Sequence, residues 1–321
     1  MKILLASLVA FCLSALPAAA QSGWPGRIEI LPVNSRTLTG AEFLSGSAPG
    51  REVLLGGELR LPLGAGAKVP AVVLVHGSGG IGAGPDYWAR AFNEIGVAVF
   101  ILDSFSGRGI VSTVEDQEQL NSLSMMVDAY RALDVLAAHP RIRADRIAVM
   151  GFSKGAVAAV YSAMDRFRTA HGSANRFAAH IGFYTPCNTH YEGDMTLAPV
   201  PIRLFHGISD DYVNIIPCRD FTERLKSAGV DITLAEYPDS QHGFDSPTSP
   251  PIFAVPKAQS TRNCRLKEGP QGRILNAETG QPFSLKTDPC VAIGAHVGHN
   301  QAATDAARKE VQIFAREKLL N

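Results

Sequence analysis

The stretch that decides the fold is Gly151-Phe152-Ser153-Lys154-Gly155, which follows the apolar run Ile147–Met150 and precedes an alanine-rich run. A G-x-S-x-G sequence between a strand and a helix forms a sharp turn, because the glycines let the backbone bend and the serine oxygen project from the sheet edge. The helix N-terminus at this turn favours developing negative charge. The pattern therefore predicts a nucleophile at Ser153, with a serine that only caps the helix as the alternative.

Outward from this turn, buried strands alternate with amphipathic helices from Pro70 onward, which is typical of a parallel sheet covered on both faces. Before Pro70, Arg27–Val33 and Val53–Leu61 predict an antiparallel entry to the sheet. The other predicted strands are Ala71–Val75, Val97–Leu102, Ile147–Met150, His180–Tyr184, Ile202–Phe205 and Ile232–Tyr237. The predicted helices are Pro85–Ile95, Ser122–Ala138, Lys154–Met164, Arg219–Ala228 and Ala303–Leu319. We expect one α/β domain over residues 21–321, with helices on both faces of a mostly parallel central sheet.

Residues from about 246 to 299 break the alternation. They are rich in Pro, Gly, Asn and Thr, and they are too many for an ordinary connection. We expect an irregular insertion near the active-site end of the sheet, because it follows the loop that carries His242.

A nucleophilic serine needs an adjacent base, and that base needs an orienting acid. Both are expected downstream of Ser153 at the carboxyl ends of strands, where parallel α/β sheets place their ligands. Asp210 and His242 each follow one of the predicted strands. We therefore expect His242 as the base and Asp210 as the acid, with Asp211 as a competitor for the acid's role. A structural His242 is the alternative.

The oxyanion of a tetrahedral intermediate needs two N–H donors. One is expected from Lys154, the residue after the nucleophile. The other is expected from the loop His76–Gly80, with Ser78 as the first choice and Gly79 as its neighbour. His76 is expected to brace this loop.

The same loop also fits a different class of protein. Gly77–Gly82 matches G-x-G-x-x-G between a strand and a helix, and Asp103 ends the next strand, which is the fingerprint of a dinucleotide-binding dehydrogenase. Export from the cell, the β-rich run before the loop, and the separate Ser, Asp and His at three other strand ends favour a hydrolase that uses no cofactor.

Residues 1–20 predict a secretory signal peptide. Lys2 precedes the apolar run Ile3–Leu16, and Pro17 and Ala18-Ala19-Ala20 follow it. We expect cleavage after residue 20 and a periplasmic or secreted protein. A retained membrane anchor is the alternative.

The chain has five cysteines, and Cys12 lies in the predicted signal behind the bulky Phe11, where lipid attachment would need a small residue. An even number remains in a chain expected in an oxidising compartment, which favours two disulfides. We expect Cys187–Cys218, which flanks two adjacent predicted strands, and Cys264–Cys290, which closes the insertion. The other pairings and free thiols remain open, whereas a zinc site would need a Cys-x-x-Cys spacing that the sequence does not have.

Composition narrows the classes of partner. The chain of 321 residues has 30 Lys and Arg against 30 Asp and Glu, so its net charge favours neither nucleic acid nor an anionic membrane. With 46% hydrophobic residues it can bury a substantial core. We expect a small-molecule substrate and no metal, and the oligomeric state is left open.

From about Glu58 to Phe244, together with its last helix, the chain resembles the dienelactone hydrolase family of α/β-hydrolases. The resemblance rests on Leu61-Pro62 leading into Val73–Gly77, on Gly151–Gly155, on the turn Gly207–Asp210 and on His242-Gly243-Phe244. It implies an α/β-hydrolase fold and a triad of Ser153, Asp210 and His242. Such an enzyme would cleave carboxylic esters or lactones through an acyl-enzyme.

The chain also departs from that family's pattern. Dienelactone hydrolases carry a cysteine nucleophile where this chain has Ser153, and a glutamate where it has Gly77. They hold the substrate carboxylate with two arginines; Arg108 matches the first, whereas Ser246 stands at the place of the second. Arg108 is thus a candidate substrate-binding residue, with a structural arginine as the alternative, and the serine favours general esterase chemistry.

Two further functions fit the same pattern. Peptidases of the prolyl oligopeptidase type share the order of the triad, but they carry a large extra domain that the expected single domain does not include. A silent binding protein on this fold would leave the serine, the aspartate and the histidine at the strand ends unexplained.

Overall fold

The computed structural model describes residues 23–321, and the predicted signal peptide lies outside the described residues. Its strands are β1 (Pro25–Thr37), β2 (Arg51–Pro62), β3 (Val69–Val75), β4 (Ala98–Asp103), β5 (Ile142–Phe152), β6 (His180–Phe183), β7 (Thr189–His190), β8 (Ile202–Gly207), β9 (Ile232–Tyr237), β10 (Phe253–Ser260), β11 (Leu266–Glu268), β12 (Ile274–Asn276) and β13 (Ala292–Val297). Its α-helices are α1 (Gly40–Ser45), α2 (Ala83–Asn93), α3 (Ser122–Ala138), α4 (Lys154–Tyr161), α5 (Asp165–His171), α6 (Ile216–Ser227) and α7 (Gln301–Ala315).

The main sheet has eight strands in the order β1-β2-β4-β3-β5-β6-β8-β9. β1 and β2 pair antiparallel, as do β2 and β4, whereas all later neighbours in the sheet are parallel. The predicted fold class, an α/β fold with a mostly parallel central sheet and helices on both faces, is confirmed.

The central strand β3 shows why the sheet is covered on both sides. All seven of its residues are buried. Val73 and Val75 pack into the layer that holds α3 and α4, whereas Val72 and Leu74 pack into the layer that holds α2 and α7. A strand that is buried on both faces has no polar alternation, and its carboxyl end is the part that remains free for chemistry.

Helix bounds follow local capping chemistry. The helix α3 has the predicted bounds, and the Asn121 side chain accepts a hydrogen bond from the Ser124 N–H at its start. The helix predicted to run from Lys154 to Met164 ends instead at Tyr161, and α5 follows as a separate helix because Met164 adopts an extended backbone.

The short helix α1 lies outside the predicted elements. Its start is a capping box, in which the Thr39 side chain and the Glu42 side chain each bind the other residue's backbone N–H. This Thr-x-x-Glu pattern is the sequence signal that marks the helix.

The insertion is more regular than the sequence indicates. Its strands β10 and β13 pair antiparallel, while β11 pairs with β12 and runs parallel to β7 of the main body. Disulfides join Cys264 to Cys290 within the insertion and Cys187 to Cys218 in the main body, which is the pairing favoured by the sequence.

The insertion lies against the loop that carries His242. Val297 of β13 forms a parallel bridge with His242, and the Gly298 N–H donates to the His242 carbonyl at 3.0 Å. This contact brings the insertion to the carboxyl ends of the parallel strands. In residues 23–321, no helix is long and apolar enough to cross a membrane.

Candidate active site

Ser153 occupies the turn between β5 and α4. Its backbone has φ 52° and ψ −117°, a left-handed conformation that is unusual for a residue with a side chain. The Ser153 N–H donates to the Phe183 carbonyl at 3.0 Å, which ties the turn to the end of β6. Strain of this kind persists only where the surroundings hold it, and it is characteristic of functional sites.

Two glycines make this turn sterically possible. A Cβ atom on Gly151 would collide with the carbonyl of Gly155, and a Cβ atom on Gly155 would collide with the carbonyl of Val75. Both collisions involve backbone, which cannot move aside cheaply. The turn therefore requires glycine on both sides of Ser153.

Asp210 and His242, which come from the ends of β8 and β9, meet in the structure. The His242 Nδ1 lies 2.8 Å from Asp210 Oδ2, and the two side chains are 8% and 1% exposed. With Nδ1 engaged by the carboxylate, Nε2 is the imidazole nitrogen left to take a proton. Ser153 and His242 line the same cavity, of about 450 Å³.

The Asp210 carboxylate is held from several sides. Its Oδ1 accepts hydrogen bonds from the Tyr212 and Val213 N–H groups at 2.9 Å and 2.8 Å. His206 Nε2 lies 3.5 Å from Oδ2. Burial alone would raise the pKa of Asp210, but its contacts with His242 and His206 outweigh burial, so its pKa lies below the ordinary value. The carboxylate therefore remains charged beside His242.

Asp211, the competitor for the acid's role, has a different partner. Its Oδ2 lies 2.8 Å from Nδ1 of His296 on β13, and its Oδ1 accepts from the His296 N–H at 2.7 Å. This pair is about half exposed and does not contact His242. Of the two aspartates, the structure brings Asp210 to the histidine.

Aromatic rings enclose the imidazole of His242. The Tyr184 and Tyr212 ring centroids lie 4.4 Å and 4.7 Å from the His242 ring centroid. The Tyr184 hydroxyl donates to Asp245 Oδ1 at 3.0 Å, and the Trp88 indole N–H donates to Asp245 Oδ2 at 2.7 Å. Burial raises the pKa of Asp245 despite these two donors. This polar contact fixes the wall against which His242 packs.

The two residues predicted to supply the oxyanion donors line one cavity together with the nucleophile. Ser78, Ser153 and Lys154 all belong to the lining of a second cavity. Within residues 23–321, the Ser78 and Lys154 N–H groups form no hydrogen bond to another protein group. A Cβ atom on Gly77 would lie 3.4 Å from the Ser153 Cβ, which shows how closely this loop approaches the nucleophile.

His76 holds the loop in place. Its Nδ1 lies 2.8 Å from the Gly77 carbonyl, and its Nε2 accepts from the Ser104 N–H at 3.2 Å. Burial lowers the pKa of His76, which favours the neutral ring with the proton on Nδ1. These contacts support the bracing position expected from the sequence.

The Lys154 side chain points away from bulk solvent. Its Nζ donates to the carbonyl oxygens of Gln117 and Leu120, at 3.0 Å and 2.5 Å. Burial lowers the pKa of Lys154 to about 7. The Gln117 Oε1 in turn accepts from the Ser78 hydroxyl at 3.0 Å. The residue after the nucleophile is thereby linked to the loop that carries the other expected oxyanion donor.

The glycine loop and Asp103, which together form the dinucleotide-binding pattern in the sequence, have different local roles in this fold. The loop Gly77–Gly82 contributes to the wall of the cavity that contains Ser153. The Asp103 Oδ1 accepts from the Phe105 and Ser106 N–H groups, both at 2.9 Å. Asp103 thus caps the turn after β4.

Arg108 does not reach the cavity. Its guanidinium forms a bidentate ion pair with Asp128 on α3, at 2.8 Å and 2.9 Å, and also donates to the Ser104 carbonyl. The Arg108 side chain is 2% exposed and that of Asp128 is completely buried. The geometry therefore gives no support to the expected carboxylate contact, because Asp128 already neutralises this arginine.

Several residues of the site lie outside the candidates chosen from the sequence: His206, Tyr184, Tyr212, Asp245 and Gln117. The first four stand at or just after the ends of parallel strands, so strand-end position is the signal that could have found them. Gln117 begins a three-residue 3-10 helix between β4 and α3 and has no such signal. Among residues 23–321, no group of three or more His, Cys, Asp or Glu side chains is arranged to hold a metal ion.

The sequence is similar to a known family and to a known protein. The sequence matches the model of the dienelactone hydrolase family over residues 56–268. It is also similar to dipeptidyl peptidase family member 1 of Caenorhabditis elegans, with 25% identity over 204 residues. That match covers 58% of this chain but only 22% of the peptidase, so the chain corresponds to less than a quarter of that curated relative.

Solved structures show the same fold. A dienelactone hydrolase-like promiscuous phosphotriesterase from metagenomic libraries has a TM-score of 0.57 and 16% identity, over 91% of this chain and 99% of its own. The protein m3DLH has a TM-score of 0.57 and 18% identity, over 92% and 100%. At this level of identity the similarity concerns the fold alone.

Proposed function

Because the chain belongs to the dienelactone hydrolase family and is a hydrolase that acts on ester bonds, we propose that it cleaves carboxylic esters or lactones through an acyl-enzyme on Ser153. The observation that carries this proposal is the buried contact of His242 with Asp210 on the cavity that also contains Ser153 in its strained turn. A base, its orienting acid and a projecting hydroxyl are the parts that acyl transfer needs.

In the first half of the reaction, His242 Nε2 takes the proton of the Ser153 hydroxyl as its oxygen attacks the acyl carbon. The carbonyl oxygen becomes an oxyanion, which the Ser78 and Lys154 N–H groups stabilise. The carbon–oxygen bond to the alcohol then breaks, and the imidazolium of His242 gives its proton to the departing oxygen. Asp210, charged beside His242, stabilises that imidazolium.

In the second half, water replaces the alcohol. His242 takes a proton from the water as its oxygen attacks the acyl carbon of the ester on Ser153. The bond to the Ser153 oxygen breaks, the serine regains its proton from His242, and the free acid leaves. With a lactone, alcohol and acid remain parts of one molecule, so a hydroxy acid is released.

The proposal extends to the surroundings of the enzyme. The signal-like residues 1–20 and the two disulfides support a single exported domain that acts in the periplasm or outside the cell. The even charge balance supports a small-molecule substrate, and the chemistry described needs no cofactor.

The direct test is hydrolysis of p-nitrophenyl butyrate by the wild type and by Ser153→Ala. We expect kcat to fall by more than about a thousandfold, because no other group replaces the nucleophile. The exposed Ser227 on α6 provides a matched control, and Ser227→Ala should keep the wild-type rate. Retention of more than a thousandth of the activity by Ser153→Ala would refute the proposal.

A peptidase is the second candidate, and the similarity to the dipeptidyl peptidase of Caenorhabditis elegans is the observation that favours it. The same triad can cleave an amide. Dipeptidyl anilides assayed beside the nitrophenyl ester decide between them, with Ser153→Ala as the blank. A higher kcat/KM for an anilide would make the peptidase the better assignment.

A further inference from the structure

Two cavities meet at Ser153. The first is the cavity of about 450 Å³ that contains His242, and the second has a volume of about 290 Å³. Their walls share Ser78, Ser153 and Tyr212, whereas His242 lines only the larger and Lys154 only the smaller. The nucleophile therefore has a separate space on each side.

The chemistry assigns the two sides of an ester to these spaces. During acyl transfer the base must return its proton to the departing alcohol oxygen, so the alcohol lies on the side of the base. His242 is on the wall of the larger cavity. The alcohol portion consequently belongs in the larger cavity, and the acyl portion belongs in the smaller one.

The open walls of the smaller cavity are apolar. The main body contributes Leu123 and Val157, and the insertion contributes Ile274, Phe283 and Leu285. The disulfide Cys264–Cys290 closes the part of the insertion that supplies these side chains. The strand β11 of that part pairs with β7 of the main body. The wall is thus anchored on both of its sides.

The amide side chains of Gln259 and Asn188 in the wall of this cavity are already hydrogen-bonded to the protein. Gln259 accepts from the Gln117 N–H and donates to the Leu285 carbonyl, and the Asn188 amide donates to the carbonyls of Thr261 and Cys264. Lys154 is the one lysine or arginine that lines this cavity among residues 23–321, and its Nζ donates to two backbone carbonyls. A substrate carboxylate buried in this cavity would find, among the described residues, no positively charged side chain free to pair with it, and burying an unpaired charge costs free energy.

We propose that the smaller cavity is the acyl subsite, that it takes an uncharged acyl group of short to medium length, aliphatic or aromatic, and that Phe283 and Ile274 set that length. The proposal rests on the acyl-enzyme mechanism on Ser153. The volume of about 290 Å³ suits a butanoyl to octanoyl chain or one aromatic ring.

Charge selectivity is tested with p-nitrophenyl hexanoate and mono-p-nitrophenyl adipate, whose acyl chains have the same number of carbons. The adipate differs in its free terminal carboxylate. We expect its kcat/KM to be about a hundredfold lower, because that carboxylate would be buried beside apolar walls. An adipate as good as the hexanoate, or better, would overturn the proposal.

Length selectivity is tested with p-nitrophenyl esters from acetate to dodecanoate. Phe283→Ala enlarges the cavity at this wall and should raise the ratio of kcat/KM for decanoate to kcat/KM for butanoate about tenfold. An extra methylene group bound in an apolar pocket typically changes kcat/KM by at least this factor. Ile274→Trp fills the cavity and should lower that ratio by a similar factor. Both side chains are partly exposed, and thermal unfolding of each variant checks that the fold is kept.

Two control variants distinguish a change in acyl-length selectivity from a general change in activity. Phe253 lines the larger cavity, so Phe253→Ala should alter selectivity for the alcohol and leave the acyl-length ratio unchanged. Ile293 on β13 is 61% exposed and lines neither cavity, so Ile293→Ala should change nothing. If hydrolysis depends on Ser153 while Phe283→Ala and Ile274→Trp keep the wild-type length profile, the acyl subsite is refuted and the mechanism stands. If Ser153→Ala remains active, both are refuted.

Discussion

Two neighbouring aspartates each contact the Nδ1 atom of a histidine at the same distance, yet the two pairs differ in burial and in their neighbours. Asp210 and His242 lie 2.8 Å apart with side chains that are 1% and 8% exposed. Asp211 and His296 also lie 2.8 Å apart, but their side chains are 44% and 48% exposed. Short contact alone therefore does not mark a catalytic pair.

Burial and neighbours make the difference. Asp210 accepts two backbone N–H groups and has His206 beside it, and its histidine partner lies on the cavity with Ser153. Asp211 binds both the backbone and the ring of His296, which connects β13 of the insertion to the main body. We infer that the buried pair serves the reaction and that the exposed pair anchors the insertion.

The largest effect is expected from Asp210→Asn. Asparagine has the same shape as aspartate, but it lacks the negative charge that stabilises the imidazolium of His242. Its amide can also hold the His242 ring in the wrong tautomer. We expect kcat for p-nitrophenyl butyrate to fall by about 10³ to 10⁴. A loss of less than tenfold would show that His242 does not depend on this carboxylate.

A smaller effect is expected from His206→Leu. His206 helps to keep the pKa of Asp210 low, so its removal should weaken the carboxylate's support of His242 and lower kcat by about tenfold, which corresponds to about 1.4 kcal/mol. His180→Leu is the matched control, because His180 is also buried but bonds the Ala159 carbonyl away from the cavity. Equal losses of kcat in the two variants would contradict a role for His206 through Asp210.

The buried pair should also appear in the acid stability of the protein. The pKa of Asp210 is lower in the folded than in the unfolded state, so its contribution to stability is present above about pH 4 and is lost as the pH falls further. Between pH 7 and pH 3, the wild type should lose on the order of 1 kcal/mol more unfolding free energy than Asp210→Asn, because only the part of the titration above pH 3 is covered. Denaturant unfolding at both pH values, with the disulfides intact, measures this; equal losses would contradict it.

The smallest effect is expected from Asp211→Asn. An exposed ion pair contributes about 0–1 kcal/mol, and this one lies outside the catalytic contact. We expect kcat/KM for p-nitrophenyl butyrate to stay within about twofold of wild type. A loss comparable to that of Asp210→Asn would erase the distinction between the two pairs.

The sequence predicts the fold, and it places the candidate residues at strand ends, for a physical reason. Parallel strands bring their carboxyl ends to one edge, so Ser153, Asp210 and His242 can be placed together from strand positions alone. The choice between Asp210 and Asp211 is different. Two adjacent side chains point in different directions, and only the folded turn shows which one meets His242.

Contacts between residues far apart in the sequence were likewise not predictable for Arg108 and for the wall of the smaller cavity. Arg108 stands in a suitable loop, but its partner Asp128 lies on α3 and has no sequence signal that links it to that arginine. The wall made by Ile274 and Phe283 depends on how the insertion pairs with the main body through β11 and β7, which no periodicity in residues 246–299 encodes. The sequence therefore predicts the regular geometry of the strands, but it does not predict how irregular segments pack against distant parts of the chain.

The most direct test of the central claim is covalent labelling with a fluorophosphonate, followed by intact mass and peptide mapping. We expect one label on each chain, located on Ser153, absent from Ser153→Ala, formed slowly in Asp210→Asn and formed at the wild-type rate in Asp211→Asn. Loss of esterase activity should parallel the labelling. A label on another residue, or full hydrolysis by a chain labelled on Ser153, would contradict the assignment of Ser153 as the nucleophile.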